Sequence, residues 1–122
     1  GVVAVVDYAH TPDALARACE AARALAGDRR VIVVFGAGGE ADASKREPMG
    51  EEVGRRADVA VVTTDNPRRE APEAIAAALE RGLVRGGRAE VVREPDRARA
   101  IARALGLARA GDVVVVAGKG HE

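Results

Sequence analysis

The chain has 122 residues, the length of one domain, and its 48% hydrophobic content is enough for a single core. Nineteen basic side chains balance nineteen acidic ones, which removes the electrostatic case for nucleic acid or an anionic membrane as partner. No apolar run approaches the ~18 residues of a membrane span, Val2–Val6 is too short for a signal-peptide core, and the lone Cys19 makes no intrachain disulfide, so a reducing cytoplasm is expected.

Val2–Val6 is a continuous β-branched run and reads as a strand buried on both faces. Thr11 is an N-cap with Pro12 at the first helical position. The helix runs from Pro12 to about Ala26, with Leu15, Cys19, Ala22 and Leu25 or Ala26 on its buried face, and Gly27 ends it. Arg30–Phe35 is the second strand, and 36–47 is a glycine-rich, charged loop. Pro48–Ala57 reads as a helix weakened by Gly50 and Gly54. Asp58–Thr63 is the third strand, Pro72 to about Val84 a helix, and Ala89–Val92 a short strand after Gly86-Gly87. Pro95–Arg109 is a further helix with Ala98, Ile101, Ala102 and Leu105 facing inward, and Val113–Ala117 is the last strand. Alternating strands and helices predict an α/β fold. It is a Rossmann-like three-layer sandwich: a mostly parallel sheet with helices on both faces, joined by right-handed crossovers.

The polar residues cluster after the strands. Asp7 and His10 follow the first, Gly36, Gly38, Gly39 and Lys45 the second, Asp65, Asn66 and Arg68 the third, and Lys119, His121 and Glu122 the last. In an open parallel sheet these loops share the edge where ligands bind. Asp7 is placed to accept hydrogen bonds from a ribose diol. His10 is either a phosphate or orienting contact or a solvated residue. Gly36-Ala37-Gly38-Gly39 is either a phosphate-cradling turn or a plain loop. It lacks the Gly-Lys-Ser/Thr of a Walker A motif. Lys45 and Arg46 form a local basic pair able to hold a carboxylate or phosphate.

Asp65-Asn66-Pro67-Arg68 carries a sharper signal. Pro67 is expected to hold Asn66 extended, so that one turn presents a carboxylate, an amide and a guanidinium. Arg68 can grip a carboxylate through two parallel hydrogen bonds, and a zwitterionic amino acid needs such mixed-sign partners. No Ser-His-Asp or Cys-His arrangement offers catalytic residues, and no ligand set has metal-site spacing.

Four stretches, Asp7–Asp13 (DYAHTPD), Phe35–Met49 (FGAGG, then KR and Met), Thr63–Arg68 (TTDNPR) and Ala117–Glu122 (AGKGHE), resemble in this order the C-terminal domain of the Mur ligases. The likeness is greatest to the members that add the third residue of the peptidoglycan stem peptide. It covers the whole chain and implies a Rossmann-like domain, residues 1–122, of a longer enzyme with a UDP-sugar domain and a central ATPase domain. It implies ATP and Mg2+ as cofactors, the magnesium held mainly by the central domain. ATP phosphorylates the carboxylate of UDP-MurNAc-L-Ala-D-Glu, and the amino group of an incoming diamino acid attacks the acyl phosphate.

By the same resemblance, Asp7 and His10 contact the nucleotide, and Asp65, Asn66, Pro67, Arg68, Gly118 and Glu122 form the amino-acid site. Arg68 holds the distal carboxylate of meso-diaminopimelate, since lysine-adding relatives usually lack that arginine. The second loop departs from the family. Ala41 stands where an arginine normally contacts the amino acid, and Pro48 falls one place late. Either Lys45 or Arg46 substitutes, or the loop binds differently. The chain starts on a strand-like run and stops on a glycine-rich loop, which is expected of a piece of a longer protein. No Walker A segment is present, so the fragment alone is expected to show no ligase turnover. Two other readings remain at this stage: a free-standing, non-catalytic nucleotide- or amino-acid-binding module, and a domain of a folylpolyglutamate synthetase-like ligase.

Overall fold

The computed structural model describes residues 1–39 and 42–118. Five strands, β1 (Val3–Asp7), β2 (Val31–Phe35), β3 (Val59–Val62), β4 (Glu90–Arg93) and β5 (Val113–Ala117), form one sheet in the order β1-β5-β2-β3-β4. Every pair is parallel, with Val3 opposite Val113 and Phe35 opposite Val62. Four helices fill the crossovers: α1 (Pro12–Ala26), α2 (Arg46–Arg56), α3 (Pro72–Gly86) and α4 (Arg97–Leu107). The three-layer expectation holds, unevenly. On one face, strand residues such as Val33, Phe35, Val62 and Val115 pack with Leu15, Val53, Leu79 and Leu83 of α1, α2 and α3. On the other, Ile32, Val34, Val61 and Val114 meet α4 alone, through Ala100 and Ala104.

The central strands explain themselves. β2, β3 and β5 are unbroken Val, Ile, Phe and Ala and are buried at every position, as double-sided covering requires. The first strand does not meet that expectation. It sits at the sheet edge with Val3 47% and Val6 62% exposed, because its outer neighbour is missing among the described residues and α4 covers only β5, β2 and β3. An apolar run shows strand propensity, and position in the sheet decides its burial.

The helix ends follow local chemistry. Thr11 Oγ1 accepts the Ala14 N–H at 3.2 Å at the start of α1. Gly87, at φ 88°, closes α3 with its N–H on the Leu83 carbonyl. In α4 the inward face is Ala100 and Ala104, with Ile101 partly covered. Ala98, Ala102 and Leu105 are exposed, against expectation. Asp96 caps this helix by accepting the Arg99 N–H, and the alanine stripe at spacing four lets the backbone lie close to the sheet.

Gly50 and Gly54 also have a use that propensity misses. A Cβ at Gly50 would stand 2.0 Å from the Leu79 carbonyl oxygen, and one at Gly82 2.0 Å from that of Glu47. These glycines let α2 and α3 cross backbone to backbone, and α2 begins at Arg46, with Pro48 in its first turn. Cys19 is fully buried between α1 and its neighbours, and burial pushes its thiol up to about 11, which makes it an inert packing residue.

The amino end of the sheet is tied by two carboxylates. Asp58 accepts the Val31 N–H at 2.8 Å and the guanidinium groups of Arg23 and Arg88 at 2.7 and 2.8 Å. Asp112, 3% exposed, accepts the Arg30 and Arg109 N–H groups, each at 2.9 Å, and Arg30 Nε at 3.2 Å. Burial works to raise both pKa values. The backbone N–H groups and arginines outweigh it, and both carboxyls end below the usual aspartate value. Among the described residues, no helix is long and apolar enough to cross a membrane.

Candidate functional site

The loops after β1, β2 and β3 meet at the carboxyl edge of the sheet around a cleft of about 450 Å³. The cleft exists because two of these loops lie backbone against backbone. A Cβ at Gly36 would stand 2.5 Å from the Thr63 carbonyl oxygen, and one at Gly39 1.6 Å from that of Pro67. Neither distance admits a side chain. The Gly39 N–H donates to the Asn66 carbonyl at 2.9 Å. Gly36 and Gly39 therefore serve the joining of two loops, and Gly38 is left on the cleft wall.

The third loop pays for this contact in backbone strain. Asn66 has φ 41° and Arg68 φ 56°, so Asn66 is left-handed and not extended as Pro67 led us to expect. Asparagine tolerates that region better than most residues, and the Gly39 hydrogen bond holds the carbonyl there. For Arg68 the left-handed region is costly. Strained residues of this kind concentrate at ligand sites, where the surrounding structure over-determines them.

Six of the expected site residues line the cleft together: His10, Lys45, Arg46, Asp65, Asn66 and Arg68. Three others sit at its margin. Asp7 Oδ1 accepts the Ala9 N–H at 2.9 Å, which turns the chain out of β1. The Asp7 carbonyl accepts the Gly118 N–H at 3.1 Å, so the first and last loops are neighbours. Gly118 in turn abuts Asp65: a Cβ there would be 2.7 Å from Oδ2. The third, Pro67, faces Gly39. Glu122, Lys119, His121 and Ala41 lie outside the described residues.

Each side chain presents a different capacity. His10 Nδ1 lies 3.0 Å from the Tyr8 carbonyl, which only accepts, so Nδ1 carries the hydrogen and Nε2 is left outward as an acceptor in the neutral ring. Asp65 is 7% exposed, and among the described residues it has no ion pair. Lys45 and Arg68 are exposed and likewise unpaired among the described residues.

Arg46 differs from its neighbour. It is 6% exposed and grips Glu70 with both terminal nitrogens, at 2.9 and 2.7 Å, while Nη2 also donates to the Gly38 carbonyl at 3.2 Å. The hydrogen-bonded Glu70 raises its already high pKa. Arg46 is thus a strut joining α2 to both loops, and Lys45 is the exposed cation of the pair, without an ion pair among the described residues. Sequence reasoning missed Glu70, which lies 24 residues from its partner with no periodic signal, and gave no role to Asp42 and Met49, which also line the cleft. Among the described residues no group of three or more His, Cys, Asp or Glu could hold a metal ion.

The arrangement can bind a small molecule bearing both charge signs between Asp65 and the cations Arg68 and Lys45, with His10 and Asp7 along the β1 side. The chain as a whole resembles known proteins. The chain is 50% identical over 117 residues to the UDP-N-acetylmuramoyl-L-alanyl-D-glutamate--2,6-diaminopimelate ligase of Lawsonia intracellularis, covering 96% of this chain and 24% of that protein. It is 52% identical over 120 residues to the ligase of the same name from Chlorobaculum tepidum, covering 98% and 23%. A solved structure of a ligase of that name superposes with a TM-score of 0.88 at 40% identity, over 99% of this chain and 24% of that one. The Yersinia pestis bifunctional folylpolyglutamate synthase/dihydrofolate synthase, at 23% identity and a TM-score of 0.72, shares the fold. The chain spans about a quarter of the length of these relatives. Residues 1–120 match the family described as Mur ligase, glutamate ligase domain, and the chain belongs to that family.

Proposed function

We propose that this chain is the C-terminal domain of a longer, cytoplasmic, ATP-dependent ligase that joins meso-diaminopimelate to UDP-MurNAc-L-Ala-D-Glu in peptidoglycan synthesis. The observation that carries the reading is the strained 65–68 turn, which puts a buried carboxylate and an exposed guanidinium on one wall of the cleft. A diamino diacid offers an ammonium and a carboxylate at its far end, and Asp65 and Arg68 are of matching sign. Lysine and ornithine lack the carboxylate and would leave Arg68 without a partner. Asn66 and Gly118 border the same turn, and Glu122 completes the amino-acid set by family likeness. The names of the similar ligases support the same substrate.

Asp7 and His10 form the nucleotide side, where an Asp7 carboxylate oxygen can accept from a ribose hydroxyl and His10 Nε2 can meet the nucleotide. ATP would supply the phosphoryl group that activates the dipeptide carboxylate. By family likeness the Mg2+ is held mainly by the central ATPase domain, the other partner of this chain. What the present residues do is receive the diamino acid and hold its amine toward that centre.

The test is steady-state kinetics of the full-length ligase with diaminopimelate, lysine and ornithine. Diaminopimelate is the expected substrate. Arg68→Ala is expected to raise its KM about 10- to 100-fold, the loss of a charge-assisted contact of roughly 1.5–3 kcal/mol. Unchanged diaminopimelate use would remove Arg68 from the site. The isolated 122-residue chain is expected to bind without turnover, and ATP-dependent amide formation by it would overturn the domain reading.

A further inference from the structure

One charged side chain at the carboxyl edge is left without a role by the pocket described above. Arg97 opens α4, where a cation faces the positive end of the helix dipole. Its position is not explained by pairing. Nη2 lies 3.5 Å from the Ala117 carbonyl, long for a hydrogen bond, and Nη1 is buried with no partner among the described residues. Arg46, the buried arginine of this edge, holds Glu70 with both terminal nitrogens and leaves only Nε without a partner among the described residues, whereas Arg97 has no carboxylate partner among them. A buried donor with no acceptor needs a reason.

Asp65 supplies one. The space where a Cβ would stand on Gly118 is 2.7 Å from Asp65 Oδ2 and 3.7 Å from Arg97 Nη1. Gly118, at φ 109°, puts no side chain there. A buried carboxylate and a half-buried guanidinium thus lie on either side of a glycine, from the end of β3 and the start of α4. They form no ion pair within 4.0 Å among the described residues, so Asp65 keeps its oxygens for a ligand while sensing the positive charge behind it.

We infer that Arg97 is a positioning residue for the amino-acid pocket: its charge stabilises and aims the Asp65 carboxylate, which meets the ammonium of the incoming diamino acid. The inference rests on the proposed role of Asp65. Removing Arg97 would leave a carboxylate of 7% exposure without a compensating cation, a state that burial disfavours. Arg97 itself touches no substrate.

The experiment is a double-mutant cycle in the full-length ligase, with KM measured for diaminopimelate and for ATP. Arg97→Ala is expected to raise the diaminopimelate KM about 10-fold and to leave the ATP KM within about 2-fold. Arg97→Lys, which keeps the charge without the planar fork, should fall between wild type and Arg97→Ala. In an Asp65→Asn background Arg97→Ala should add less than about 2-fold, because the carboxylate it serves is gone. An unchanged diaminopimelate KM, equal losses for both substrates, or the same loss in the Asp65→Asn background would each overturn the inference. Should Arg97→Ala not fold, Arg97→Gln is read by the same criteria. Asp65→Asn separates the two levels. If it leaves the diaminopimelate KM unchanged, the proposed pocket falls and Arg97 with it. If it raises that KM while Arg97→Ala is silent, only the role of Arg97 is lost.

Discussion

The two ends of the sheet use the same residue type in opposite ways. At the amino end, Asp58 and Asp112 are saturated. Asp58 accepts one backbone N–H and two arginines, Asp112 two backbone N–H groups and one arginine, and together they lock the starts of β2, β3 and β5. At the carboxyl end, Asp7 accepts a single N–H of its own turn, and Asp65 has no ion pair among the described residues. The arginines differ in parallel. Arg23, Arg30 and Arg88 are spent on carboxylates, whereas Arg68 stands exposed on a strained backbone. A fold that satisfies its charges at one end and, apart from the Arg46–Glu70 strut, leaves side chains of both signs without ion pairs among the described residues at the other has separated stability from binding along the strand axis. This is the physical content of the rule that parallel sheets bind ligands beyond their carboxyl ends.

The most direct way to break this comparison is to exchange the effects of the aspartates. Asp112→Ala should cost about 2–3 kcal/mol, because it strands two part-buried backbone N–H groups and Arg30 at once. Chemical denaturation of the isolated chain measures it, and a cost under about 1 kcal/mol would mean that the amino end is not the structural anchor. Asp65→Asn should do the reverse. It should change stability by less than about 1 kcal/mol while raising the diaminopimelate KM of the full-length ligase about 10-fold or more. Asp7→Asn belongs with it, with a smaller, severalfold rise in the ATP KM. If either carboxyl-end variant unfolds the chain, the separation of roles fails.

Much of this contrast was legible in the sequence, for a physical reason. Strand identity comes from local runs such as Val31–Phe35 and Val113–Ala117. The chain order of strand and helix then forces the polar residues after each strand to one edge, so His10, Lys45, Asp65 and Arg68 could be brought together on paper. What could not be read was geometry set by contacts distant in sequence. The edge position of β1 depends on which strands pair. The rotation of α4, which buries Ala100 and Ala104 and exposes Leu105, depends on how closely it approaches the sheet. The left-handed Asn66 depends on a hydrogen bond from Gly39, a loop away. Arg46 looked like half of a basic pair until Glu70 claimed it, and the saturation of Asp58 needs Arg23 and Arg88 from either side in sequence. Arg97 left a faint trace, a cation in the first turn of a helix.

The smallest expected effect sharpens the comparison through pH. Asp58 and Asp112 have folded pKa values below the ordinary aspartate value, each against the pull of burial and through N–H and guanidinium partners. The unfolded chain, titrating near pH 4, therefore takes up protons first as pH falls. The stability these groups contribute is complete above that range, begins to fade from about pH 5, and is lost as pH falls through their lower folded values. Between pH 5 and pH 4 the two carboxylates are only partly protonated even when unfolded, so the loss there should be a fraction of that from Asp112→Ala. Denaturation midpoints at pH 7, 5, 4 and 3 give the slope. Asp112→Asn should flatten it, leaving the remainder from Asp58, from the half-exposed Glu47, which Arg81 and Arg85 hold below its usual value, and from Asp42, which Ser44 holds below its own. A slope indifferent to Asp112→Asn would take the acid-sensitive anchor away from the amino end, because the carboxylate that bears both structure and pH dependence would then lie elsewhere.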